Sequence, residues 1–186
     1  MEPPVEPIIR QIRHRQAKKY LPKDRSGTIL DIGCGLRAIW LRKIEFSNKI
    51  GLEIDEGNFI NTNGINLIKG DITKKIPLPD ESVDCVTMLA VMEHIDEESI
   101  PFALEEIHRV LKKGGRFVMT APVHKAEAII SFLAKIYLLS HEEAEEHKEV
   151  YDPHKTVQML KNLGFSPVEL KFFELGYNSL ICADKI

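Results

Sequence analysis

Cysteine is scarce in this 186-residue chain. Cys34, Cys85 and Cys182 are far apart and odd in number, which excludes a disulfide framework and a zinc cluster and reads as free thiols in a reducing cytoplasm. Long apolar runs are missing too. None approaches the ~20 residues a membrane helix needs, and the opening MEPPVEPIIRQIR lacks the pattern of a cleavable signal peptide. Charge of one sign is absent: 25 Lys and Arg face 28 Asp and Glu, a net −3. That removes the general electrostatic argument for a nucleic-acid partner. No repeat, low-complexity tract or Gly/Ser linker divides the chain. With 44% hydrophobic and 28% charged residues, it reads as one soluble globular domain over 1–186.

What is present is alternation. Short apolar runs stand at TILDI (28–32), KIGLEI (49–54), INLIKG (65–70), VDCVTML (83–89) and RFVMTA (116–121), each the length of a buried strand. Ile100, Leu104, Ile107 and Leu111 repeat at helical spacing before Gly114-Gly115. Strands alternating with helices predict a doubly wound α/β domain with a parallel sheet covered on both faces. Asp152-Pro153 predicts an N-cap followed by a helix carrying Val157, Leu160 and Leu163 up to Gly164. PVELKFFEL (167–175) and YNSLICADK (177–185) are too close for a parallel crossover and predict an antiparallel hairpin. An N-terminal segment, 1–22, reads as a helix over 5–20, with Ile8, Ile9, Ile12 and Tyr20 available for packing. Residues 125–150 read as a helical insertion. Its apolar part, AIISFLAKIYLL (128–139), is either core or dimer contact or a lid over a substrate, with transient membrane contact as a further reading.

The first run ends in Asp31-Ile32-Gly33-Cys34-Gly35. Glycines after a buried strand allow a tight turn and close approach of backbone to a ligand, and LRAIWLRKIEF can follow as a helix whose N-terminus faces it. The spacing fits a relaxed dinucleotide fingerprint, and Glu53 stands where a ribose-binding acid is expected. Strand, glycines and acid together point to an adenosine-containing cofactor.

DIGCG (31–35), GLEID (51–55), GDI (70–72), PLPDESVDCVTMLAVMEHI (77–95) and LKKGGRFVMTAP (111–122) resemble the successive motifs of class I S-adenosylmethionine-dependent methyltransferases. The likeness is greatest to the small-molecule branch that handles ubiquinone, menaquinone and sugar-pathway acceptors. The resemblance implies a Rossmann-like seven-stranded sheet in the order 3-2-1-4-5-7-6 with strand 7 antiparallel. It implies S-adenosylmethionine as cofactor and methyl transfer to an oxygen or carbon of a small molecule, releasing S-adenosylhomocysteine. It places Asp31 near the cofactor's cationic groups and Gly33, Cys34 and Gly35 along its methionine part. It puts Glu53 on the ribose hydroxyls, Asp71 on the adenine amino group, Ile54 and Ile72 about the adenine ring, and the Leu89 and Ala90 carbonyls at the methionine amine. Asp31 would oppose a pyrophosphate, which favours this cofactor over a nicotinamide one. Arg37 stands where the family has a third glycine; it either points outward or reaches the cofactor carboxylate.

Bland readings stand beside these. Strand-end acids often cap loops, Asp84 fits the start of strand four, and Cys34 and Cys85 suit small buried positions. His94 and His124 are candidate general bases on the acceptor side, or turn residues. His147, Tyr151 and His154 either line the pocket or lie on the surface. No metal site is expected. Glu93 with His94 has the residue types but little else, and His141 and His147 are six apart and do not share a helical face. A monomer or homodimer acting on a small molecule is the leading reading. A partner-binding subunit without catalysis, an NAD(P)-dependent oxidoreductase and a methyltransferase acting on RNA or protein are the alternatives.

Overall fold

The computed structural model describes residues 6–55, 57, 64–123 and 151–186. The expectations for His124 and for the insertion at 125–150 lie outside them. The described residues form a seven-stranded sheet in the order β3-β2-β1-β4-β5-β7-β6. The strands are β1 Thr28–Ile32, β2 Asn48–Glu53, β3 Ile65–Lys69, β4 Val83–Leu89, β5 Leu111–Pro122, β6 Phe165–Phe173 and β7 Asn178–Lys185. The first five run parallel, and β7 pairs antiparallel with both β5 and β6. The helices are α1 Glu6–Lys18, α2 Ile39–Arg42, α3 Ile100–Val110 and α4 Pro153–Asn162.

Side chains alternate across each strand, so one run feeds two cores. Leu30, Ile32, Val86, Met88, Phe117 and Met119 pack on one face with Leu104 and Ile107 of α3 and Leu160 of α4. Ile29, Cys85, Val118 and Leu180 pack on the other with Ala17 of α1 and Trp40 and Leu41 of α2. Both faces are therefore covered, as near-continuous apolar strands require.

Local chemistry sets the element ends. The Asp152 side chain accepts from the His154 N–H at 2.8 Å and caps α4. Asp84 takes no part in the site: it accepts from the Thr28 N–H at 2.7 Å and from Lys112 Nζ, tying β4 to the start of β1. Arg116 of β5 makes a two-pronged ion pair with Asp184 directly across on β7.

Three expectations need correcting. The segment after Gly35 is a helix for only four residues, because Ala38 lies in the left-handed region (φ 45°) and interrupts it. β5 starts at Leu111 rather than Arg116. Leu111 pairs with Val83 before the ladder resumes at Cys85 and Arg116, so residues 112–115 form a bulge in the strand. On α1, Ile8 and Ile12 are exposed. The helix instead docks through buried Ala17, with the His14 ring 5.0 Å from that of Trp40.

Candidate active site

β1 and β4 are adjacent in the sheet but far apart in sequence. Chain connections leave them in opposite directions and open a crevice at their carboxyl ends. A cleft of about 450 Å³ lies there, walled by the ends of β1 to β4 and the turn after β4. Of the sequence-predicted residues, Gly33, Glu53, Ile54, Asp71, Ile72, Ala90 and His94 line it.

Gly33 has φ +68°, and a Cβ added to it would sit 2.3 Å from Val91 Cγ2. Only glycine lets the β1 turn pass this close to the segment after β4. Glu53, buried at the end of β2, organises the loops on both sides. One carboxylate oxygen accepts from the Gly35 N–H at 2.6 Å; the other accepts from the N–H groups of Ile54 and Asp55 at 2.9 and 3.2 Å. A carboxylate has about four acceptor sites, so its capacity for a diol is partly used. At the end of β3, Asp71 Oδ1 accepts from Thr73 N and Oγ1 at 2.9 and 2.7 Å. Desolvation pushes this carboxyl up, but the Thr73 bonds and the Lys74 ammonium together hold it below the usual range. Its other oxygen lies 3.6 Å from Lys74 Nζ. Ile54 is 61% exposed and Ile72 is buried, giving the cleft two apolar surfaces.

Four predicted residues lie behind the wall. Asp31 is buried beside β4 and accepts from Thr87 Oγ1 at 2.6 Å, which in turn accepts from Trp40 Nε1 at 3.1 Å. Burial, aided by the charge of Glu53, pushes the Asp31 carboxyl up to about 7. Cys34 turns its thiol under β2, where a Cβ on Gly51 would lie 2.6 Å from its Sγ; burial pushes that thiol up to about 12. Gly35 and Leu89 support the loop from outside the lining. Arg37 is exposed, in line with its outward reading.

Chemistry stronger than the sequence had indicated appears beside the cleft. Met92–His94 forms a 3₁₀ turn that buries Glu93 and exposes His94, so the two do not converge on a metal. Among the described residues no cluster of three or more His, Cys, Asp or Glu could hold one. Glu93 and Tyr151 instead line a second pocket of about 210 Å³. Burial pushes the Glu93 carboxyl up to about 7, opposed by the charge of Arg13. Sequence offered one signal for it: a carboxylate four residues beyond the carboxyl end of β4. No helix among the described residues is long and apolar enough to cross a membrane.

Residues 30–119 match the methyltransferase domain family. The demethylmenaquinone methyltransferase of Staphylococcus haemolyticus is 27% identical over 201 residues, covering 91% of this chain and 82% of the relative. Among solved structures, a putative methyltransferase in complex with the Trm112 methyltransferase activator of Haloferax volcanii aligns with a TM-score of 0.74 and 16% identity, over 96% of this chain and 92% of that one. A possible histamine N-methyltransferase of Thermotoga maritima aligns with a TM-score of 0.71 and 21% identity, over 98% and 91%. These two share the fold. The motif order, the sheet order and the relatives agree: residues 30–119 carry a methyltransferase domain, on the seven-stranded Rossmann-like sheet that S-adenosylmethionine-dependent methyltransferases share.

Proposed function

We propose that the cleft binds S-adenosylmethionine and that the enzyme transfers its methyl group to an oxygen or carbon of a small-molecule acceptor, releasing S-adenosylhomocysteine. The observation that carries this reading is the convergence of Gly33, Glu53 and Asp71 from the ends of β1, β2 and β3 on one cleft with two apolar walls. The residues present suit that cofactor. Glu53 keeps acceptor capacity for ribose hydroxyls, Asp71 Oδ2 can accept from an amino group, and Ile54 and Ile72 offer faces to an adenine ring. Asp31, behind the glycine turn, supplies negative charge toward a sulfonium and an ammonium group. The bound cofactor would supply an activated methyl group. The chain's task is then to orient the acceptor in line with that methyl and keep water out.

The acceptor class is supported by the quinone-related relative and by the small pocket beside the cleft. A nicotinamide cofactor fits less well, because its pyrophosphate would lie over buried Asp31. His94 on the cleft wall is a candidate base, and so is His124. We place the enzyme in the cytoplasm.

Calorimetric titration with S-adenosylmethionine, S-adenosylhomocysteine and NADH tests the cofactor assignment. Binding of the sulfonium compound and its thioether product, weakened at least tenfold in Glu53→Ala, is expected. Binding of NADH alone would overturn it.

A further inference from the structure

The second pocket shares Ile95 with the cofactor cleft, so the two spaces adjoin across that side chain. Met92, Ile95, Ile100 and Met159 give it apolar walls. Two buried polar residues, Glu93 and Tyr151, are also part of its lining. Glu93 is 8% exposed and Tyr151 9%. Glu93 Oε2 has no hydrogen-bond partner among the described residues, and the Tyr151 hydroxyl makes none of good geometry, with Thr156 and Ser179 as its nearest candidates. A folded protein rarely leaves such atoms unpaired unless a ligand or water completes them.

Resting on the methyltransferase reading above, we propose that this pocket is the acceptor subsite, that it takes a neutral single-ring phenol, and that Glu93 is the catalytic base receiving the phenolic proton. Size argues for one ring: an engineered apolar cavity of roughly 150 Å³ holds benzene, and this pocket offers about 210 Å³. Charge argues against an anionic acceptor, so the phenol enters with its proton on. Glu97 and Asp152 line the pocket with Glu93, while Lys155 is the cation on its wall and already pairs with Glu97. Arg13 of α1 also acts on Glu93 through its charge, and acids still outnumber bases. Chemistry argues for a hydroxyl. A base that titrates near 7 is poised at working pH and suits a phenol, which ionises near pH ~10 in the free state.

The step balances. The phenol O–H bond breaks and its proton passes to a Glu93 oxygen. The phenol oxygen forms a bond to the methyl carbon as the carbon–sulfur bond breaks, and the electron pair stays on sulfur as the neutral thioether. Glu93 then returns the proton to solvent.

The test uses the full chain with S-adenosylmethionine and phenol, catechol or hydroquinone as acceptor, following the methyl ether by mass spectrometry. Wild type should methylate at least one of the three, with kcat/KM falling below pH ~7 as Glu93 is protonated. Glu93→Gln should lose 100-fold or more in kcat/KM, and its remaining activity should lack that acid limb. It should also bind S-adenosylhomocysteine as wild type does. Glu93→Asp should restore part of the rate and the limb. Tyr151→Phe should raise KM several-fold with kcat nearly unchanged, which keeps the test open should the Glu93 variants fail to fold. Wild type that binds S-adenosylhomocysteine but neither binds nor methylates the three phenols would overturn the subsite and leave the methyltransferase reading standing. A Glu93→Gln enzyme with the wild-type rate and acid limb, or a Tyr151→Phe enzyme with unchanged KM, would overturn it as well. Failure to bind S-adenosylhomocysteine at all would overturn the parent reading along with this one.

Discussion

At the residue scale, Glu53 and Asp31 have different jobs although both are acids at strand ends. Glu53 ties three backbone N–H groups into the two loops that border the cleft. Hydrogen bonds to a charged group contribute roughly 1.5–3 kcal/mol. Glu53→Ala should therefore lower the unliganded protein's stability by about 1–3 kcal/mol, besides weakening cofactor binding, and urea unfolding would measure the loss. Asp31 is protonated more readily than a free aspartate because burial disfavours its charge. Between pH 5 and 7 the folded chain holds a proton there that the unfolded chain has released, so this group's contribution to stability falls as pH rises. His14, pulled down to about 4 chiefly by burial, acts in the opposite sense, since stability is lost as pH drops below its unfolded value. A variant comparison separates the two. The stability of Asp31→Asn relative to wild type should rise by up to about 1.4 kcal/mol per pH unit from pH 5 toward 7. A gap that stays constant with pH would contradict the assignment. A cationic cofactor beside Asp31 would favour its ionised form, so wild type should release protons on binding S-adenosylmethionine at pH 6, and Asp31→Asn should release fewer. Titrations in buffers of different ionisation enthalpy would show the difference.

At the element scale, the strands were legible because most are short apolar runs closed by glycine, proline or an acid. The Asp152 cap was legible because side chain and following proline both signal a helix start. Asp152→Ala should cost about 1 kcal/mol of stability, checked by thermal or urea unfolding. What the sequence hid was decided by contacts between distant residues. Ile8 and Ile12 mark an apolar stripe on α1, yet the helix docks through a small alanine and a histidine ring against Trp40, which hydrophobic periodicity does not reveal. α2 is cut short by the left-handed Ala38, and alanine gives no warning of that. At the other end of the chain, Lys185 is buried and donates to the carbonyls of His108 and Leu111 at 2.9 and 2.8 Å, a role hidden in a terminal lysine. Lys185→Ala would leave both without that donor and should cost about 1–3 kcal/mol.

At the scale of the whole molecule, the site follows from topology. The reversal of strand order at β1 and β4 opens the crevice, and the motifs reach it because each strand ends there. That made Gly33, Glu53, Asp71 and Ile72 readable in advance as neighbours. Cys34 and Asp31 were readable as near the loop, but not as lying behind it: a one-residue step along a strand turns the side chain to the other face. The pocket at Glu93 and Tyr151 joins residues 58 positions apart, and no local pattern announces such a meeting.

The central claim is the location of the cofactor. Amide hydrogen exchange, with and without S-adenosylhomocysteine, tests it most directly. The account predicts slowed exchange at Gly33 to Gly35, Glu53 to Asp55 and Asp71 to Thr73, with β6 and the outer face of α1 unchanged. Tight binding accompanied by protection elsewhere, with those three turns unaffected, would contradict it.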